Sequence, residues 1–210
     1  MGAVRWNAVS GALWHRYTDQ VRRRVATHAR VPRTRVGDVM KIEILKVAEY
    51  QRRGMIHFHA VVRFDGPSGS GEDPPDWANF ELLRQVAEEA AAHVSVRLPV
   101  PPGIGERTMV FGGQVTAESV ADGDSRRSVS AYVAKYVTKG GGGIMVRAKP
   151  LVVRSQIEGS ALSEFGKRLM YTAWDLGGYR EYAQLNLRKW AHQLGSKGSI
   201  ATKSRTYSTT

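Results

Sequence analysis

His57 and His59 stand two residues apart in the run Arg53-Gly-Met-Ile-His-Phe-His-Ala-Val-Val-Arg63. On a β-strand such residues project from the same face, so both imidazoles can address one metal ion if a third ligand lies beside them. The stretches 36–50 and 55–64 are rich in β-branched and aliphatic residues and predict two strands. Between them lies Arg52-Arg53-Gly54, so the pair should be a hairpin. A three-residue loop with Gly54 left-handed pairs Gln51 with Met55 and sets Glu49 opposite His57, on the face of both histidines. A two- or four-residue loop would turn Glu49 to the other face. Glu49, His57 and His59 together leave coordination positions for water or a substrate oxygen. Mixed nitrogen and oxygen ligands suit Mn²⁺, or Mg²⁺ where phosphate oxygens complete the shell. The plain alternative is two polar side chains on a wet strand face, with Glu49 paired to Arg52 or Arg53.

A second constellation is Ser130-Ala-Tyr132-Val-Ala-Lys135-Tyr136-Val-Thr-Lys139. The segment 125–139 predicts a helix that the glycines at 140–143 end. Tyr132 and Tyr136 are four apart, as are Lys135 and Lys139, so each pair forms neighbours on such a helix. Val129, Val133 and Val137 make a separate apolar stripe; if it packs on the sheet, the tyrosines lie to one side and can reach toward the histidines. A phenol, with a pKa of about 10, is a poor nucleophile unless a cation stabilises its phenolate. Lys135, Lys139 or the metal could supply that charge, and the lysines could instead hold a phosphate. The alternative is a helix with packing tyrosines and solvated lysines.

The remaining elements must position these groups. Leu13, Tyr17, Val21 and Val25 recur at four-residue steps and predict an amphipathic helix over 10–30. Residues 65–75 read as a loop, 76–98 as a helix burying Phe80, Leu83, Val86, Ala87 and Ala90, and 108–119 as a strand. The last third reads as helical at 160–176 and 179–194, followed by a basic tail rich in Ser and Thr. This gives an N-terminal basic helix segment (1–35), a core (36–145) and a helical C-terminal extension with its tail (146–210). The fold class is α+β, with an antiparallel sheet carrying the hairpin and helices 76–98 and 125–139 packed on it.

Composition narrows the partners. The 210 residues hold 31 Lys and Arg against 19 Asp and Glu, a net charge of +12 that favours phosphate contacts. Arg22, Arg23, Arg24, Arg30, Arg33 and Arg35 crowd one early segment, and no acidic residue follows Glu181. There is no cysteine, which excludes disulfides and thiolate metal sites. No secretion signal, membrane span or Gly-Lys-Ser/Thr phosphate loop occurs in the sequence, so cytoplasmic residence and no nucleotide-hydrolysis engine are expected.

The strings Glu49-Tyr-Gln-Arg-Arg-Gly-Met-Ile-His57-Phe-His59 and Tyr132-Val-Ala-Lys135-Tyr136-Val-Thr-Lys139, in this order, resemble the HUH endonucleases. They resemble most the RepSA-like rolling-circle replication initiators of actinobacterial plasmids and integrative elements. Val4-Arg-Trp6-Asn7-Ala, Leu13-Trp14-His-Arg16-Tyr17, Leu187-Arg188-Lys-Trp190-Ala191-His192 and Thr202-Lys203-Ser204-Arg205-Thr-Tyr207-Ser208 extend the likeness over nearly the whole chain. The resemblance implies a ferredoxin-like or RRM-like relative that nicks single-stranded DNA. It implies a divalent metal held by His57, His59 and Glu49, and attack by a motif tyrosine. The product is a 5′-phosphotyrosine and a free 3′-hydroxyl that primes rolling-circle replication. Tyr136 is the first candidate nucleophile, Tyr132 the second or a proton carrier, and Lys135 positions phosphate. Arg52, Arg53, Lys139, Lys203 and Arg205 are candidate DNA contacts. Origin DNA, single-stranded or as a hairpin, is the expected partner, with host helicase and polymerase. Other readings are a non-catalytic origin-binding protein and an HUH transposase or relaxase. The family's upstream strand motif of the Phe-Val-Thr-Leu-Thr kind has no counterpart here, and relatives continue past Thr210. The chain thus reads as a partial initiator, with a sheet edge expected to stand unpaired.

Overall fold

The computed structural model describes residues 1–99, 101–105, 107–113, 115–119, 131, 134, 135 and 149–204. The chain is α+β, with a small antiparallel sheet and several helices. Helix α1 spans Gly2–Ala29, well beyond the amphipathic stretch that the sequence marks. Its first two turns bury Val4 through Ser10 without a break, polar residues included, so no helical periodicity was there to read. It ends on Arg30, which is left-handed at φ 55 and donates its N–H to the carbonyls of Ala26 and Thr27.

Strands β1 (Lys41–Tyr50) and β2 (Ile56–Asp65) form the expected hairpin. The strand expected from 36 begins later. Arg33–Asp38 makes a 3-10 turn, in which the Met40 N–H bonds to Val36 O, and both side chains turn into the core. Helix α2 (Phe80–Ala92) is shorter than the 76–98 expected. Asn79 Oδ1 caps the Leu82 N–H at 3.1 Å. Beyond His93 the burial pattern alternates residue by residue, giving strand β3 (Ser95–Arg97). Val86 and Ala90 are buried as expected, Phe80 is exposed, Leu83 and Ala87 are half-buried, and Leu82 and Ala91 are buried as well. Strand β4 (Thr108–Val110) pairs with β3 and stops where Phe111 packs edge-on against Trp6 and Tyr17.

Helix α3 (Glu164–Leu176) matches the first C-terminal helix expected, with Ser163 Oγ capping the Gly166 N–H. The second, over 179–194, is replaced by two 3-10 turns, Arg180–Leu185 and Ala191–Gln193. Each is closed by a left-handed residue, Asn186 at φ 51 and Leu194 at φ 52, which no continuous α-helix admits. Strand β5 (Ala201–Lys203) pairs antiparallel with β1, so the three-stranded sheet runs β2-β1-β5. Strand β5 thus covers β1 at Leu45 to Val47, and among the described residues β2 is the other edge of this sheet. Ser204 extends that cover by donating its N–H to Ile44 O at 2.9 Å.

One face of the hairpin (Ile42, Ile44, Phe64) packs on Val21 and Val25 of α1 and Val86 and Ala90 of α2. The hairpin's far end, through Ala48, Tyr50 and Ile56, packs with Val4, Met170, Tyr182 and Leu194. Trp6, Val9 and Leu13 join β3 and β4 in a third cluster, so α1 contributes to all three. Among the described residues no helix is long and apolar enough to cross a membrane.

Candidate metal and DNA-phosphate site

The hairpin loop is the three-residue form. Gln51 N–H bonds to Met55 O at 2.9 Å, Gly54 N–H bonds to Gln51 O at 2.7 Å, and Gly54 is left-handed at φ 74. The register follows, with Glu49 opposite His57 and Val47 opposite His59. Glu49, His57 and His59 therefore share the face opposite the α1–α2 packing face. A Glu49 carboxylate oxygen lies 2.9 Å from His59 Nε2, both side chains being mostly buried. The His57 ring stands edge-on to that of His59, with centroids 4.8 Å apart. Among the described ion pairs the partner of Glu49 is thus His59, not the loop arginines.

These donors fit a divalent ion in type, in number and in face. As the side chains stand, however, no three His, Asp or Glu among the described residues close around one point. Glu49 spends an oxygen on His59, and His57 lies beside the pair. His57 keeps part of its ring in water. Desolvation of the rest pushes its pKa below the ordinary value, His59 and Arg53 push the same way, and the Glu49 carboxylate opposes them. A neutral imidazole is the form that binds a metal.

Arg52 and Arg53 are exposed on the loop beside this pair. Lys203 reaches the same sheet from far along the chain. It pairs with Leu45, which shares the parity of Glu49, and so takes a position on the site face. That face also carries Arg63, which holds Asp65 through Nε and Nη2 at 2.6 and 2.8 Å, across from the fully buried Glu43. Of the second constellation, Lys135 is described as helical and exposed. Tyr132, Tyr136, Lys139 and Arg205 lie outside the described residues. Among the described tyrosines, burial raises the phenol pKa of Tyr17 to about 12 and also raises those of Tyr50 and Tyr182. Such phenols are poorer nucleophiles at neutral pH.

Reasoning from the sequence missed Trp6 and Asn7 as hairpin contacts. Trp6 Nε1 donates to Ile56 O at 2.8 Å, and Asn7 Oδ1 accepts the Ile56 N–H at 3.0 Å. Asn7 Nδ2 donates to Gly54 O at 2.8 Å and to Leu194 O at 3.1 Å. The available signal was an arginine and an asparagine inside the otherwise apolar run Val4-Arg-Trp-Asn-Ala-Val9.

Over residues 1–210 the sequence matches the family described as "RepSA: Replication initiator protein, pSAM2". It is 37% identical over 216 residues to a curated replication initiator protein of Streptomyces ambofaciens, an alignment covering 100% of this chain and 47% of that protein. The chain thus spans about half the length of the curated relative it matches. No solved structure matches it.

Proposed function

The chain belongs to the RepSA replication initiator family, and on that premise we propose that it carries the DNA-nicking and strand-transfer centre of an HUH-type initiator. The observation that carries this reading is the hairpin register: Glu49, His57 and His59 on one face, Glu49 and His59 already 2.9 Å apart, and Arg52 and Arg53 at the adjoining turn. Glu49, His57 and His59 would hold one Mn²⁺ or Mg²⁺. Such an ion supplies positive charge against the scissile phosphate, which is the main need of phosphoryl transfer.

Around it the chain's own groups divide the work. Arg52, Arg53, Lys139, Lys203 and Arg205 bind the DNA backbone, and Lys135 helps to orient the phosphate. The Tyr136 oxygen bonds to phosphorus as the bond to the 3′ oxygen breaks. The phenol gives up its proton and the departing 3′ oxygen gains one. The DNA is left with a 5′-phosphotyrosine and a 3′-hydroxyl that primes rolling-circle synthesis. Tyr132 serves as the second nucleophile or as a proton carrier. Origin DNA is the partner, with host helicase and polymerase following.

The test is a covalent-adduct assay on single-stranded origin oligonucleotides with Mn²⁺ or Mg²⁺. The wild-type chain should run as a protein–DNA adduct on denaturing gels, and Tyr136→Phe should lose it. No adduct under either metal, together with salt-sensitive DNA binding that ignores His57→Ala, would instead make the chain a non-catalytic origin-binding protein.

A further inference from the structure

Residue Ile56 directly precedes His57, and its backbone groups are where the hairpin meets the rest of the protein. Because Gln51 and Met55 are hydrogen-bonded partners, the next pair, Tyr50 and Ile56, is a non-hydrogen-bonded one, and both Ile56 groups point away from β1. A neighbouring strand would ordinarily take them up. Here two side chains of α1 do so instead. Asn7 Oδ1 accepts the Ile56 N–H, and the Trp6 indole donates to Ile56 O. Asn7 also donates to Gly54 O in the loop and to Leu194 O, on the chain leading to β5. Asn7 is 1% exposed and Trp6 8% exposed, so water offers these groups little replacement.

We infer that Asn7, with Trp6, is a positioning residue for the Glu49–His57–His59 site, holding the hairpin in the one register that places Glu49 across from the histidines. The inference rests on the metal-holding reading of that site. A slip of β2 by one residue would turn the backbone groups at the clamp toward β1 and would carry both histidines to the opposite face. Asn7 can hold only the unslipped form, because it needs an outward N–H from Ile56 and an outward carbonyl from Gly54 together. Aspartate keeps the acceptor but offers no donor, and alanine offers neither. Through Leu194 the same side chain ties the hairpin to the segment that delivers Lys203 to the site face.

The test compares Asn7→Ala, Trp6→Phe and Val86→Ala in the full 210-residue chain. Val86 is fully buried in the α1–α2 core away from the clamp and serves as a control for stability alone. Trp6→Phe keeps an aromatic ring in its packing site and guards against a failure of Asn7→Ala to fold. In metal-free protein, Asn7→Ala and Trp6→Phe should shift the His57 and His59 ring resonances and speed Ile56 amide exchange, and Val86→Ala should leave the ring resonances in place. Mn²⁺ affinity, read by the free-ion paramagnetic signal, should fall about tenfold or more in Asn7→Ala, the scale typical of losing a group that orients metal ligands, and stay level in Val86→Ala. Ring resonances unmoved by both clamp variants, or moved equally by Val86→Ala, would overturn the inference. A wild-type chain that holds no Mn²⁺ sinks the metal reading instead, and the ring resonances still decide whether Asn7 sets the register.

Discussion

Replacing Glu49 with alanine separates a metal ligand from a structural partner of His59. In the metal-free chain the substitution removes one hydrogen bond of 2.9 Å between side chains 20% and 14% exposed. Partial exposure screens that bond, so its loss costs about 1 kcal/mol. For a chain of this size that lowers Tm by about 2–4 °C. With Mn²⁺ at about 100 times its Kd, wild type gains about 2.7 kcal/mol, or about 5–11 °C. If Glu49 is a ligand, its removal weakens binding about tenfold or more. At the same Mn²⁺ concentration the variant then gains at most about 1.4 kcal/mol, roughly half the wild-type increment. Thermal melts of both proteins, with and without Mn²⁺, read the two effects independently. Equal Mn²⁺ increments in wild type and Glu49→Ala would refute the assignment and leave Glu49 as a partner of His59 alone.

Gly54→Ala forces a side chain into a left-handed residue at φ 74, and should lower stability by about 1 kcal/mol and reduce the Mn²⁺ increment wherever the loop rewinds to relieve that strain; an unchanged melt with an unchanged increment counts against the loop's role. His57 is held below its ordinary pKa, chiefly by desolvation, so between pH 7 and pH 5 the unfolded chain takes up its proton first and stability falls as pH falls. His57→Gln should flatten that part of the Tm–pH curve, and parallel curves would contradict the account. Removing both loop arginines (Arg52→Ala with Arg53→Ala) should reduce the slope of log K against log salt for single-stranded DNA by about 1.4, at about 0.7 per phosphate contact. A slope that does not change places the DNA elsewhere on the surface.

What the sequence determined was local. The loop Arg52-Arg53-Gly54 has the glycine that a three-residue turn needs, so strand period places Glu49, His57 and His59 on one face once that turn forms, and the Gln51–Met55 pairing shows that it does. The starts of α2 and α3 were expected earlier, at 76 and 160, and the caps Asn79 and Ser163 set them at 80 and 164 instead. Tertiary structure decided everything that depends on distant chain. It buries the first turns of α1 on all sides, where amphipathic periodicity vanishes. It breaks the expected helix over 179–194 at Asn186 and Leu194, because Leu187 and Leu194 must enter the core that Val4 and Met170 share. It brings Lys203 beside Leu45 and Asn7 beside Ile56, contacts spanning 158 and 49 residues of sequence. Hydrogen bonds over such separations leave no periodic trace in a sequence. They form only after α1, the hairpin and the C-terminal segment have packed, and they hold in three dimensions the register that the turn begins in one.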